Sequence, residues 1–239
     1  MIKVLPSITT TSVYGRDWRE YFKEIKKLNL KEAAFFPTCL KSREEREDAY
    51  KLLESSPIEN IPFVHLRDNM DIDEADYLIN KFNTKAFNIH SKKEHAPKYD
   101  LKKYKNIIFV ENHPPHFECD NQIEREEKLI KAYGGICLDA SHLESDRLEK
   151  SSHYEEFMEL LKKYKCGCWH VSAIYKERSY NPDQDVTRFD HHLYKELSDF
   201  DYLKRYQEFL PGFIALELEN NLDEQLKAKK YIEKLFGIN

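Results

Sequence analysis

The chain is poor in the features that mark several protein classes. Its five cysteines are an odd number, with no Cys-x-x-Cys pair and no dense framework. That excludes a secreted disulfide scaffold and predicts reduced thiols, with Cys39, Cys119 and Cys137 as packing residues. No apolar run approaches the roughly 18 residues of a membrane span. The start, Met1-Ile2-Lys3-Val4, leads into a short strand-like run and not a signal-peptide core. A soluble cytoplasmic protein without membrane contact is expected. No Pro/Gly/Ser-rich linker, low-complexity tract or close internal repeat divides the sequence, so residues 1–239 are read as one domain. Positive charge is not in excess either. A net charge of −5 gives no general attraction to phosphate backbones, and six glycines leave few tight backbone approaches.

What is present suits one large core. Hydrophobic residues make up 41%, with 15 Tyr and 14 Phe, beside 34% charged residues. The 239 residues come close to the length of about 250 typical of a (β/α)8 barrel. Short apolar runs alternate with charged segments of helical period, the pattern of repeated βα units. Strands are read at Lys3–Thr9, Glu32–Pro37, Ile61–Leu66, Ala86–His90, Ile107–Asn112, Gly135–Asp139, Gly167–Ser172 and Phe213–Glu219. These eight strands predict an α/β fold, a single (β/α)8 TIM barrel. Between them, Trp18–Leu28, Arg43–Leu53, Ile72–Phe82, Gln122–Tyr133, Tyr154–Tyr164, Phe200–Phe209 and Leu222–Phe236 read as helices with solvated charged faces. Pro97 weakens the crossover Ser91–Lys105. The longest stretch without a predicted element is Tyr175–Phe189, expected to be a functional loop.

A barrel of this type assembles its active site from strand ends and the loops that follow them. His65, His90, Glu111, Asp139, His170 and Glu217 each end or follow an apolar strand run, and His142 lies three residues beyond Asp139. Any one of them alone is an ordinary satisfied polar residue. Together they would gather several carboxylates around one axis, at a large electrostatic penalty that a divalent cation removes. Mixed imidazole and carboxylate donors suit Zn²⁺, Mn²⁺, Fe²⁺ or Co²⁺ better than Ca²⁺. Asp190-His191-His192 adds an Asp-x-His pair, and Glu219 shares a strand face with Glu217. Cys166, Cys168 and His170 also share a face by the period of two; the two cysteines are read as lumen-filling residues before ligands. Arg67, Arg178 and Arg188 fall in post-strand segments, where a guanidinium can hold an oxyanion, although a surface position is the ordinary reading of each.

On these motifs the chain resembles the xylose isomerase-like TIM barrel superfamily, which includes sugar isomerases, epimerases and endonuclease IV. The resemblance covers nearly the whole chain. Val110-Glu111-Asn112, Leu138-Asp139-Ala140-Ser141-His142-Leu143, His170-Val171-Ser172 and Gly212-Phe213-Ile214-Ala215-Leu216-Glu217 look like the isomerase and epimerase branch. The resemblance implies one divalent metal, Zn²⁺ or Mn²⁺ foremost with Fe²⁺, Co²⁺ or Mg²⁺ as further choices, on Glu111, Asp139, His170 and Glu217. In that reading Glu111 and Glu217 are the acid/bases and His142 positions an oxygen of a small polyhydroxy carbonyl substrate, with His65, at a strand end, and Arg178, in a post-strand loop, as further substrate-binding residues. The rival is an endonuclease IV-like zinc phosphodiesterase acting at abasic DNA, for which His65, His90, His142, Asp190 and His192 are the additional ligands. Leu193-Tyr194-Lys195-Glu196-Leu197 replaces the Gly-rich stretch that the endonuclease pattern carries at that point. A third reading is a non-catalytic metal-binding barrel, since a fold alone does not prove activity.

Overall fold

The computed structural model describes residues 2–92, 95–113, 122–182 and 185–238; Cys119 and Asp183 lie outside them. The strands are β1 (Lys3–Leu5), β2 (Ser7–Thr9), β3 (Ala34–Phe36), β4 (Phe63–His65), β5 (Ala86–His90), β6 (Ile108–Glu111), β7 (Ile136–Asp139), β8 (Cys166–Val171), β9 (Ala173–Asn181), β10 (Val186–His191) and β11 (Phe213–Leu216). All but β9 and β10 form one parallel sheet in the order β1-β11-β8-β7-β6-β5-β4-β3-β2. The two ends of that order are neighbours in sequence. β1 pairs with β11 and β2 with β3, and Pro6 joins them. The run Lys3–Thr9, expected as one strand, is thus split at Pro6, which has no N–H for the ladder, while its carbonyl still accepts from Ala34 N at 2.8 Å. Nine segments therefore fill eight positions of a closed α/β barrel.

Strand alternation sorts the core into two shells. Leu5, Ala34, Phe36, Phe63, Ala86, Phe109, Cys137, Cys168 and Ala215 face the lumen. Val4, Ile8, Phe35, Val64, Phe87, Val110, Leu138, Trp169 and Ile214 face the helices. Gly167 marks an exception. A register shift sets Ile136 against Cys166 but Cys137 against Cys168, so a bulge at Gly167 breaks the period of two. A Cβ there would lie 2.0 Å from the Phe109 ring. Cys168 consequently fills the lumen, whereas Cys166 packs with the outer shell and accepts from Trp169 Nε1 at 3.2 Å. The expected common face of Cys166, Cys168 and His170 does not form.

The helices are α1 (Glu20–Leu28), α2 (Arg43–Glu54), α3 (Ile72–Phe82), α4 (Gln122–Ala132), α5 (Ala140–Leu148), α6 (Ser152–Lys163) and α7 (Leu222–Phe236), with 3-10 turns at Lys102–Ile107 and Leu197–Phe209. Their boundaries are chemically marked. Ser42 and Asn221 close capping boxes with Glu45 and Glu224, and Asp71 caps α3. Gly237, at φ 65°, ends α7 in the left-handed conformation. No helix among the described residues is long and apolar enough to cross a membrane.

Two sequence expectations need correction. Tyr175–Phe189 is largely an antiparallel hairpin, β9 with β10, with register contacts from Val186↔Asn181 to His191↔Ala173. Its strands pair with each other outside the barrel and carry Lys176-Glu177-Arg178, so no buried alternation announces them. The helix faces are also not all solvated. Arg46 is 1% exposed and grips Glu74 through Nε and Nη2 at 2.7 and 2.6 Å, while Tyr50 donates to the same carboxylate. This ionic clamp joins α2 to α3.

A candidate metal centre at the mouth of the barrel

Four consecutive positions of the ring deliver Glu111 (β6), Asp139 (β7), His170 (β8) and Glu217 (after β11) to the C-terminal mouth. Each lies at the top of an inward-facing row whose lower members are the apolar lumen residues. Parallel register sets the height: Asp139 pairs with His170, and Glu217 N still bonds to Val171 O at 2.9 Å. The next two positions add His65 (β4) and His90 (β5), with His90 in register with Glu111. The expected strand-end residues are therefore brought together.

Donor atoms fall into three groups, each within 4.8 Å: His65, His90 and Glu111; Glu111, Asp139 and His142; Asp139, His170 and Glu217. Glu111 belongs to two of them. Its Oε2 lies 3.3 Å from His65 Nε2, 3.8 Å from His90 Nε2 and 3.6 Å from His170 Nδ1. Asn88, two residues before His90 on the same inward face, donates to that oxygen at 2.6 Å. Asp139 is held more firmly still. It caps α5, accepting from His142 N at 2.8 Å and Ser141 Oγ at 2.5 Å, and Asn112 brackets its backbone through bonds of 2.7 and 3.0 Å. The cap explains why α5 follows β7 without a loop and why His142 sits directly over Asp139, with Nδ1 3.1 Å from Oδ2.

His142 Nε2 lies 3.7 Å from Asp190 Oδ2, and His192 lines the cavity beside Glu217. The hairpin thus places its Asp-x-His pair at the mouth. His191 points elsewhere, between Tyr14 Oη and Ser179 Oγ. The choice between the two terminal glutamates is also visible. Glu217 approaches His170 Nδ1 at 3.3 Å, whereas Glu219 accepts from Val13 N and Tyr14 N at 3.1 and 3.0 Å, fastening the loop after β2. Arg178 does not join the group: it is exposed, donating to Thr187 O and lying 3.6 Å from Glu149.

The charges fit a cation. Burial works against ionised Glu111 and Glu217, yet the neighbouring imidazoles hold both carboxyls down: Glu217, beside His192 and His170, to about 2, and Glu111 well below its usual range. Burial pushes Asp139 up, and holds His90 neutral by lowering it to about 3. His170 is pushed up to about 10, because the carboxylates of Glu111, Glu217 and Asp139 outweigh its desolvation. It is fully buried, and neither ring nitrogen makes a hydrogen bond of normal geometry; the same holds for His65 Nδ1. Buried imidazole nitrogens without hydrogen bonds, set beside carboxylates, are compatible with a divalent-metal site.

These residues open onto a cavity of about 470 Å³, within the range of small-molecule sites. Six histidines among the described residues line it, namely His65, His90, His95, His113, His142 and His192. That imidazole content favours Zn²⁺, Mn²⁺, Fe²⁺ or Co²⁺ over metals that prefer only oxygen. His95, His113, Thr11 and Thr38 were not singled out from the sequence, where they stand in segments without strand periodicity, and Cys39, expected as a packing residue, is exposed at this cavity instead.

No protein-family model matches the chain, and no curated protein matches it. Among solved structures, a xylose isomerase domain protein from Alicyclobacillus acidocaldarius is similar over 99% of both chains, at 10% identity and a TM-score of 0.53. The chain shares the TIM barrel fold of that protein. Also similar are a xylose isomerase-like TIM barrel protein from Mycobacterium smegmatis in complex with magnesium, at 12% identity, 99% and 97% coverage and a TM-score of 0.42, and a 3-keto-D-glucoside 4-epimerase from E. coli, at 9% identity, 98% and 99% coverage and a TM-score of 0.43. Identity this low gives the fold alone, so the chemistry of this barrel must come from its own residues.

Behind the candidate metal ligands runs a second layer of buried charge. His153 Nδ1 meets Asp146 Oδ2 at 2.9 Å and its Nε2 meets Glu126 Oε2 at 3.0 Å. Arg188 then links Asp146 Oδ1, at 3.3 Å, to Asp190 Oδ1, at 2.7 Å. Burial opposes the imidazolium, but the bonds to Asp146 and Glu126 outweigh it and raise His153 to about 10. Its stabilisation is therefore complete below the unfolded value of about 6.5 and is lost as pH rises through 10. The expected result is a fall in unfolding free energy between those limits, on the order of 3–5 kcal/mol, measured by urea denaturation across pH. His153→Gln should flatten this fall; an unchanged slope would remove His153 as its source.

Proposed function

We propose that this barrel is a divalent-metal-dependent isomerase or epimerase of a sugar or sugar phosphate. The observation that carries the reading is the arc of Glu111, Asp139, His170 and Glu217, with a glutamate at each end, opening onto a cavity of small-molecule size. The same four residues would hold the metal. When bound, it supplies Lewis-acid polarisation of a substrate carbonyl and its neighbouring hydroxyl. Glu217 is ionised and borders the cavity, so it accepts the proton from the carbon next to the carbonyl. Glu111, at the far end of the arc and steadied by Asn88, is the second proton-exchange site. His142 and His65 present imidazole nitrogens to substrate oxygens, and the buried lumen below excludes water from that side.

A second reading has a specific observation in its favour. His65, His90 and Glu111 form a donor group separate from Asp139, His170 and Glu217, and His142, Asp190 and His192 stand at the same mouth. Such a set suits metal-dependent phosphodiester hydrolysis, with an abasic DNA site as substrate.

The experiment combines metal analysis with solvent exchange. Elemental mass spectrometry of the purified protein should find one tightly held metal per chain, and aldoses and ketoses incubated in D₂O should gain deuterium beside the carbonyl. Two or three metals with cleavage of an abasic duplex would transfer the assignment to the hydrolase. Metal-free protein whose thermal stability ignores Zn²⁺ and Mn²⁺, with neither activity, would leave a binding protein.

A further inference from the structure

Among the described residues, every arginine but one makes an ion pair or a hydrogen bond through its guanidinium: Arg16, Arg19, Arg43, Arg46, Arg147, Arg178, Arg188 and Arg205 with carboxylates, and Arg125 with Ser91 O. Arg67 has neither. It follows β4 by two residues, so alternation turns it back over the mouth from the same side as His65, and it lines the cavity. It is half-buried, and its Nε is fully enclosed without a partner. The acids that act on it also have other partners: Asp68 meets Lys98 at 2.8 Å, and Glu45 accepts from Ser42 N at 2.9 Å. Lys92 and His95 line the same cavity.

A half-buried guanidinium whose neighbouring acid, Asp68, is already paired with a lysine is costly unless something regularly supplies further negative charge. Arginine matches the fork of two phosphoryl or carboxylate oxygens, and further cationic groups along the wall favour the more highly charged of these anions. We infer that Arg67 anchors the phosphoryl group of a phosphorylated small substrate, holding its far end while the reacting carbons lie at Glu217. This rests on reading the cavity as the substrate site.

The test is calorimetric titration with inorganic phosphate, dimethyl phosphate and acetate. Wild type, Arg67→Met and Arg67→Lys would each be titrated as purified and again after metal removal by a chelator. Phosphate should bind the wild type in both forms, about tenfold more weakly to Arg67→Met and at an intermediate strength to Arg67→Lys, with acetate much weaker throughout. Each tenfold corresponds to about 1.4 kcal/mol. Tighter binding of phosphate than of dimethyl phosphate points to a monoester substrate, and the reverse to a diester; either supports the anchor. Equal phosphate binding by wild type and Arg67→Met, no phosphate binding by any of them, or acetate as strong as phosphate would overturn it. Circular dichroism melts of the two variants guard against a folding defect. The metal reading fails separately, on a purified protein that neither carries nor takes up metal, because Arg67 is not among the donor groups.

Discussion

Glu217→Gln should lower solvent-proton exchange by roughly 10²–10⁴-fold, the span of a lost general base. Gln is isosteric and keeps one oxygen for a metal, but it cannot accept a proton at neutral pH. The residue is chosen over Glu111 because its surroundings are simpler. Glu111 sits among His65, His90, His170 and Asn88, so altering it perturbs two donor groups at once. Glu217 meets His170 and borders the cavity. The comparison to make is kcat for exchange at saturating substrate, with metal content measured on the same samples. Retained metal and a large fall in kcat identify proton transfer. Unchanged exchange would remove Glu217 from the chemistry, and loss of metal with loss of activity would reduce it to a ligand.

The second large effect concerns stability. Arg188→Met should cost about 3–5 kcal/mol, because it strands two buried carboxylates. Arg188 is 3% exposed and bridges Asp146, itself bonded to His153, to Asp190, which faces His142. Arg188 is one of the charges holding Asp190 below the ordinary carboxyl range, so its loss lets that carboxyl rise as well. Urea denaturation at pH 7 measures the first consequence. Arg188→Lys, which keeps the charge but not the fork, should fall between wild type and Met. A Met variant as stable as the wild type would mean that the bridge contributes nothing net, as some buried ion pairs do when replaced by apolar groups.

The sequence carried the barrel and the location of the site because both depend on short-range rules. Apolar runs of strand length announce the βα repeat, and polar residues ending those runs announce the mouth. His65, His90, Glu111, Asp139, His170 and Glu217 were legible for that reason. What escaped depends on contacts between distant segments or on departures from strict alternation. Glu219 shares parity with Glu217, yet the chain has left the strand and Glu219 turns to Val13 and Tyr14. A single extra residue at Gly167 moves Cys166 to the other shell. Glu74, Glu126 and His153 lie on helices whose faces read as solvated, and each is buried because a partner on another helix neutralises it. The β9–β10 hairpin has no hydrophobic stripe to betray it. Arg67, Arg178 and Arg188 share the same post-strand placement in the sequence, and of the three it is Arg67 that lines the cavity.

The proline at the seam of the ring has a consequence for how the molecule is made. Lys3 pairs with Phe213 and Leu5 with Ala215, contacts about as distant in sequence as this chain allows, while Ser7 to Thr9 pair with Ala34 to Phe36. Pro6 therefore divides a strand whose second half can dock as soon as β3 leaves the ribosome from a first half that must wait for nearly the whole chain. Long-range pairing of this kind is slow, and until it forms the incomplete sheet presents two unpaired edges. Glu217 follows the same late strand, so a nascent or truncated chain would present Glu111, Asp139 and His170 while lacking the last member of the candidate donor set.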